Sequence, residues 1–405
     1  IRCVMLQSKN PTLTIGLIAT LGFIAILGPF GSDAYLPALP IIAKDLNTST
    51  TGVQGTLSAF MIGMAFGQLL MGALSDAFGR RRLIIIGTSL MAFASLIAGS
   101  SNDLPLLLAA CALIGFSSST GMVVGRAQIS DLATGLSASR AFSLLGLFAG
   151  IGPILGPLGG AVTLGIADWR WIFFAMGILA FTLAVIAMLS VPETLPKEKR
   201  RSAKIGSMFS AGSAILKNKL FLQNATILWA TASIMFAYIS ASPFVVQSIL
   251  GFTPLEYTLV FGANGIGLMI AGAITGVVAK RVSPRRVIGW GVGLQLIAAG
   301  VLLSTWITET PSAWNILPAM FLMVSAMGFM FGPATALALT QVREFGGTAL
   351  AVQGSIQFLI ASVMATAVGL AGPHEFWPLA LIVTLASAVS LTFWIRTKKT
   401  LADAL

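Results

Sequence analysis

Charged side chains are scarce in this chain, at 9% of 405 residues, where a soluble domain carries roughly a quarter. With 56% hydrophobic residues and a mean hydropathy of +0.93, a single aqueous core is excluded and a bilayer is the fitting solvent. Histidine occurs once, at His374, which excludes a His-rich metal centre or a Ser-His-Asp site elsewhere. The two cysteines, Cys3 and Cys111, stand far apart and Cys111 falls inside an apolar run. Neither a disulfide framework nor a metal-ligand spacing is present. There is no G-x-x-x-x-G-K-S/T loop, so ATP use has no basis, and no cleavable signal pattern is legible. The formal charge of +11 does not point to nucleic acid. The basic residues sit in short loops between apolar spans, where they report topology.

Apolar length is what the chain has in excess. Scanning for runs of at least about 18 residues yields twelve spans, at about 13–38, 51–75, 82–101, 104–129, 139–163, 169–191, 220–246, 256–279, 285–307, 313–341, 347–371 and 375–395. The one long polar segment, Pro192 to Lys219, carries seven basic residues and reads as a cytoplasmic linker, 192–219. It divides an amino-terminal bundle, 1–191, from a carboxy-terminal bundle, 220–405. With both termini in the cytoplasm, all of the 24 Lys and Arg except Lys44 and Arg170 fall on the inner side, as the positive-inside rule requires.

Between the second and third spans lies Gly72-Ala-Leu-Ser-Asp-Ala-Phe-Gly-Arg-Arg-Arg82, a tight basic turn. A weaker copy, Gly276-Val-Val-Ala-Lys-Arg-Val-Ser-Pro-Arg-Arg286, recurs 204 residues later with Lys280 opposite Asp76 and Ser283 opposite Gly79. The first turn resembles the signature loop of the major facilitator superfamily of secondary transporters. That resemblance implies an all-α membrane protein of twelve transmembrane helices in two pseudo-symmetric six-helix bundles, with a substrate site between them. It also implies a gating role for Gly72, Asp76, Gly79, Arg80 and Arg81. A carboxylate at the carboxyl end of its own helix is unfavourable, so Asp76 needs a partner. Arg126 and the helix start near Gly346–Thr348 are the two candidates, and either contact can form only when the halves close together on the cytoplasmic side. A plain topological anchor explains the arginines but not the acid or the glycines.

Asp33, in Gly31-Ser-Asp-Ala-Tyr-Leu-Pro, is the expected proton-coupling residue. An acid in hydrocarbon costs about 2.5–3.5 kcal/mol and faces a cavity or a partner, and a desolvated carboxyl holds its proton more firmly. The competing reading puts Asp33 in water at the outer boundary, or at a break before Pro37. In the fifth span, Gly152, Pro153, Gly156, Pro157 and Gly160 allow close helix approach and a bend. They resemble the glycine-proline stretch of drug–proton antiporters. Asp33–Pro40, Gly125–Asp131, Trp169–Phe173 and Pro192-Glu-Thr-Leu195 are similar to the Bcr/CflA group of bacterial drug exporters. The chain departs from that group in its fourth span, where Cys111 and Ile114 replace the group's arginine and glutamine.

Expected substrate liners are Tyr35, Ser118, Met122, Phe236, Tyr238, Asn264, Met323 and Gln357. Met320, Met323, Met327 and Met330 recur at helical spacing, which suits a pliable pocket but equally plain packing. The function expected is proton-coupled efflux of drug-like or small amphipathic compounds by a monomer in the bacterial inner membrane. The proton gradient is its energy source, no cofactor is needed, and protons, small molecules and lipid are its partners. A uniporter or proton symporter importing a small metabolite is the alternative, kept open by Cys111. An enzyme would need paired acids, a histidine site or a soluble domain, and none is visible.

Overall fold

Apolar runs become helices here wherever a side chain stands ready to accept from the first free N–H groups. The computed structural model describes residues 13–133, 135–200, 212–342 and 346–402, and every regular element among them is helical. In chain order these are α1 (Ile15–Asp33), α2 (Leu39–Asp45), α3 (Thr50–Phe78), α4 (Arg80–Gly99), α5 (Leu104–Leu132), α6 (Gly135–Leu164) and α7 (Arg170–Ser190). A helical turn over 212–217 precedes α8 (Lys219–Pro243), α9 (Pro254–Val278), α10 (Pro284–Ile307), α11 (Ala313–Gly328), α12 (Phe331–Thr340), α13 (Gly346–Val368) and α14 (Trp377–Ala402). Thr14, Ser49, Asp103 and Asn218 each accept from the N–H three residues on. Thr253 and Glu256 form a reciprocal cap at α9. Such caps satisfy donors that lipid cannot.

Eleven segments among the described residues are long and apolar enough to cross a membrane. The fifth expected span corresponds to α6, a helix of 30 residues that runs through Pro153 and Pro157. The protein is therefore an all-helical, multi-pass membrane protein. Three spans are not single continuous helices. The first stops at Asp33, turns through Leu36–Ala38 and resumes as α2 to Asp45, because Pro37 has no N–H to extend α1. The seventh passes Pro243 into a wide π-helical turn, Phe244–Ile249. The tenth divides into α11 and α12, where Phe329 and Met330 donate to carbonyls only three residues back. At that break Gly328 lies so close to the Leu268 carbonyl that a Cβ would sit 2.5 Å away.

Helices α1 to α7 pack chiefly on one another, as do α8 to α14. The two groups meet along α3–α13 and α6–α9, and where the breaks of α1 and α8 touch. Both ends of the expected linker are docked. Gln128 donates to the Pro192 carbonyl (3.1 Å), and buried Ile215 packs with Phe221, Ala338 and Ala349 of the carboxy group. Residues 201–211 lie outside those described. The Gln247 side chain donates to the Pro37 carbonyl (3.2 Å), joining the groups at the end of the bundle where α1 breaks. At the opposite end, the acids around Arg80 find their partners in the amino group and in the start of the 192–219 segment.

Candidate functional site

Glycines of α6 position the buried acid. Gly152 rests on Pro29, Gly156 on Asp33, and Gly160 so near the Ala34 carbonyl that a methyl would overlap it. Spaced four apart, they share one face and seat α1 along α6 as far as its break. That is their observed role; α6 itself stays helical through both prolines. Asp33 is 4% exposed, and α2 continues beyond it, so it does not lie in water at the boundary. The Ser32 hydroxyl is 2.6 Å from Asp33 Oδ1 and 3.1 Å from the Pro29 carbonyl. It serves both protonation states, donating to the carboxylate, or accepting from the acid while donating to Pro29. Among the described residues Asp33 has no ion-pair partner.

Where the resembled exporters have an arginine, this chain has a neutral contact. Buried Cys111 lies beside the Tyr35 hydroxyl, which donates to Thr56 Oγ1 (3.2 Å). Thr56 in turn donates to the Val53 carbonyl (2.6 Å). Ile114 packs at Gly31, two residues before the acid.

The expected liners fall into two sets. In the carboxy group, Asn264 donates to the Tyr238 hydroxyl (2.8 Å) and Tyr238 stacks on Phe261 with centroids 5.5 Å apart. Phe236 meets Phe358, and Gln357 is half-buried on α13. In the amino group, Met122 approaches Gly28, while Ser118 bonds back to the Ile114 carbonyl (2.7 Å) of its own helix. The sets converge through α6. Gly156 touches Asp33, whereas its neighbours Ile154 and Pro157 meet Gly265 and Thr258 of α9. Met320, Met323, Met327 and Met330 are all 0% exposed, so in this conformation the stripe is packing and Met323 lines no opening.

The signature turn carries the second constellation. Gly79 has φ of +96°, a backbone that favours glycine, and folds Arg80 back beneath the end of α3. Arg80, 8% exposed, pairs with Asp76 (2.5 Å) and Asp131 (3.2 Å) and donates to Ser75 Oγ (2.5 Å). Its backbone N–H donates to Glu193 Oε1 (2.9 Å), and Glu193 pairs with Arg200 (3.3 Å). In this conformation Asp76 pairs with Arg80, brought there by the Gly79 turn. Arg126 is exposed and forms no ion pair with Asp76. Gly72 accepts from Ser75 one helical turn on (2.9 Å), and Arg81 donates to the Met188 carbonyl (2.7 Å) at the end of α7. Asp131 and Glu193 were missed as turn ligands. Their signal was present in the sequence, since both are acids flanking apolar spans on the side where basic residues prevail.

Two packed helical groups with an unpaired acid buried near their contact have the architecture of secondary membrane transporters. The sequence profile of the Major Facilitator Superfamily matches residues 21–366. The chain belongs to that superfamily, whose members transport small molecules and are not enzymes. It is 33% identical over 398 residues to the uncharacterized MFS-type transporter YdgK of Bacillus subtilis (strain 168), covering 98% of each chain. It is 27% identical over 364 residues to a bicyclomycin resistance protein homolog of Haemophilus influenzae, covering 90% of each. A partially occluded inward-open structure of the xylose transporter XylE from E. coli matches with TM-score 0.72 at 14% identity, over 93% of this chain and 97% of that one. At this identity the likeness shows the fold.

Proposed function

We propose that this transporter exports drug-like or small amphipathic compounds in exchange for protons, by alternating access between halves 1–191 and 220–405 joined by segment 192–219. The reading places it in a bacterial inner membrane with both termini cytoplasmic, as the basic loops favour. On that orientation the Pro37 end is external and closed, and the Arg80 end is cytoplasmic. The observation that carries the coupling is Asp33, 4% exposed and without a counter-ion among the described residues. An ionisable group so placed in a membrane protein marks an ion or substrate path. The Ser32 hydroxyl suits either protonation state of that acid. The Haemophilus relative's printed name, bicyclomycin resistance protein homolog, supports export.

Import by uniport or proton symport is the second reading, favoured by the neutral contact at Cys111 where the resembled exporters have arginine. Proteoliposomes loaded with ethidium, a probe cation, or with bicyclomycin separate the two. Export predicts release driven by an imposed proton gradient, abolished by a protonophore and reduced to background in Asp33→Asn. An Asp33→Asn protein that transports like the parent, with the same pH dependence, removes the proton-site assignment. Gradient-driven movement in the opposite direction favours import.

A further inference from the structure

Gln295 sits at the middle of α10 and is 0% exposed. Neither its amide nitrogen nor its amide oxygen has a hydrogen-bond partner. On α14, Ser387 and Ser390 are also 0% exposed, and both hydroxyl oxygens are likewise unpaired. A hydroxyl buried in a helix can return to the carbonyl four residues back, as those of Ser118 and Thr231 do. These two do not. The helices that pack against α10 and α14 are described throughout this depth. A polar group without a partner is costly in surroundings of lipid and apolar side chains, so four such atoms on two helices call for one explanation.

The register of the helices brings them to one depth. α10 and α14 run antiparallel, with Arg285 and Gly289 against Trp394. Ile288 and Val292 belong to an apolar cluster that Leu391 and Trp394 pack against. Gln295 extends the Ile288–Val292 stripe by three residues, while Ser390 and Ser387 extend the Trp394–Leu391 stripe the other way. Along the axis Gln295 is about 4.5 Å beyond Val292, and Ser387 about 6 Å beyond Leu391. The apolar contact thus gives way to a polar one at mid-depth. One amide and two hydroxyls offer donors and acceptors on both sides, which is the set a bridging water needs. Neither helix carries an acid between its ends, which argues against a cation.

We propose that α10 and α14 hold a buried hydration site, in which water bridges the Gln295 amide to the Ser387 and Ser390 hydroxyls. Water-mediated bonds are nearly as favourable as direct ones, and they tolerate shifts of either helix that would break a direct bond. The site is therefore a compliant tie inside the carboxy group. It lies off the α3–α13 and α6–α9 contacts where the halves meet, so it stands apart from Asp33 and from the transport reading.

X-ray radiolysis of the full chain in detergent tests this, because a bound water releases hydroxyl radical beside side chains that bulk solvent does not reach. Val292, 2% exposed, is expected to be labelled, and Leu302, 0% exposed further along α10, is not. In Gln295→Leu/Ser387→Ala/Ser390→Ala the Val292 label is expected to fall to the level of Leu302. A parent in which Val292 stays unlabelled, or a triple variant that keeps the label, overturns the site. Melting gives a second reading. Gln295→Leu alone strands the two hydroxyls and is expected to lower the melting temperature by about 2–4 °C, most of which the triple variant recovers. A Gln295→Leu protein that melts above the parent shows the amide to be dry and also overturns the proposal. Should the triple variant fail to fold, the parent's Val292 and Leu302 labels decide the matter.

Discussion

The turns Gly72–Arg82 and Gly276–Arg286 share an ancestry of pattern but only half of a structure. Arg81 donates to the Met188 carbonyl at 2.7 Å, and Arg285, at the matching position, donates to the Trp394 carbonyl at 2.7 Å. Each guanidinium therefore ties its turn to the end of the last helix in its own half. Arg285 also lies 4.7 Å over the Trp394 ring, whose indole N–H donates to the Arg285 carbonyl (2.9 Å). The remainder diverges. Arg80 stands where the second copy has Pro284, Asp76 where it has Lys280, and Gly79 where it has Ser283. Among the described residues, only the first turn encloses an arginine among carboxylates. The duplicated arginine is thus a structural tie, and the acid cluster is an addition confined to one half.

The largest break in this comparison is expected from Arg80→Ala. It leaves Asp131 and Asp76 without their cation, but both are partly exposed, at 23% and 47%, so a loss of about 1–3 kcal/mol is expected. Thermal unfolding in detergent would read it. Gly79→Ala comes next, at about 1–2 kcal/mol, from a strained φ and a methyl that would crowd Glu193 and Arg200. Ser283→Ala, at the matching site with φ of −62°, should change the same melt by less than about 0.5 kcal/mol. Arg81→Ala and Arg285→Ala should each cost about 1 kcal/mol. A clear excess for Arg285→Ala would credit the Trp394 ring as well. The smallest effect on folding is expected from Asp76→Asn and Lys280→Asn, which differ instead in conformation. Cysteine probes at the Arg80 end should change accessibility in Asp76→Asn and not in Lys280→Asn; equal accessibility would erase the asymmetry.

Spans and turn were legible because lipid imposes length and apolarity on each crossing, and because glycine and basic runs punctuate them. The breaks at Asp33, Pro243 and Gly328 were harder to read. A proline or glycine inside an apolar run permits a break, but whether one occurs depends on the neighbour pressed against it. Leu268 supplies that neighbour for Gly328. Asp33 was legible as a lone acid in an apolar run, yet its seat on Gly156 required two helices to be brought together. The Asp76–Arg80 pair was not legible because an arginine four residues on belongs, on paper, to the next helix. The positive φ of Gly79 makes the two neighbours. Asp131 and Glu193 come from segments 51 and 113 residues from Arg80, a separation that no local pattern spans.

Gly160 lies so near the Ala34 carbonyl that no methyl fits between them, so α1 and α6 are expected to move as one body that carries the Asp33 carboxyl with it. A charge carried by such a body moves along the membrane normal only as far as the body does. The transmembrane voltage then does a fraction of the work of a full crossing, which is worth about 2.3 kcal/mol per 100 mV. On the proton exchange proposed above, the electrical signature of turnover resides in the protons and cargo that cross, and capacitive current from the protein itself should be small.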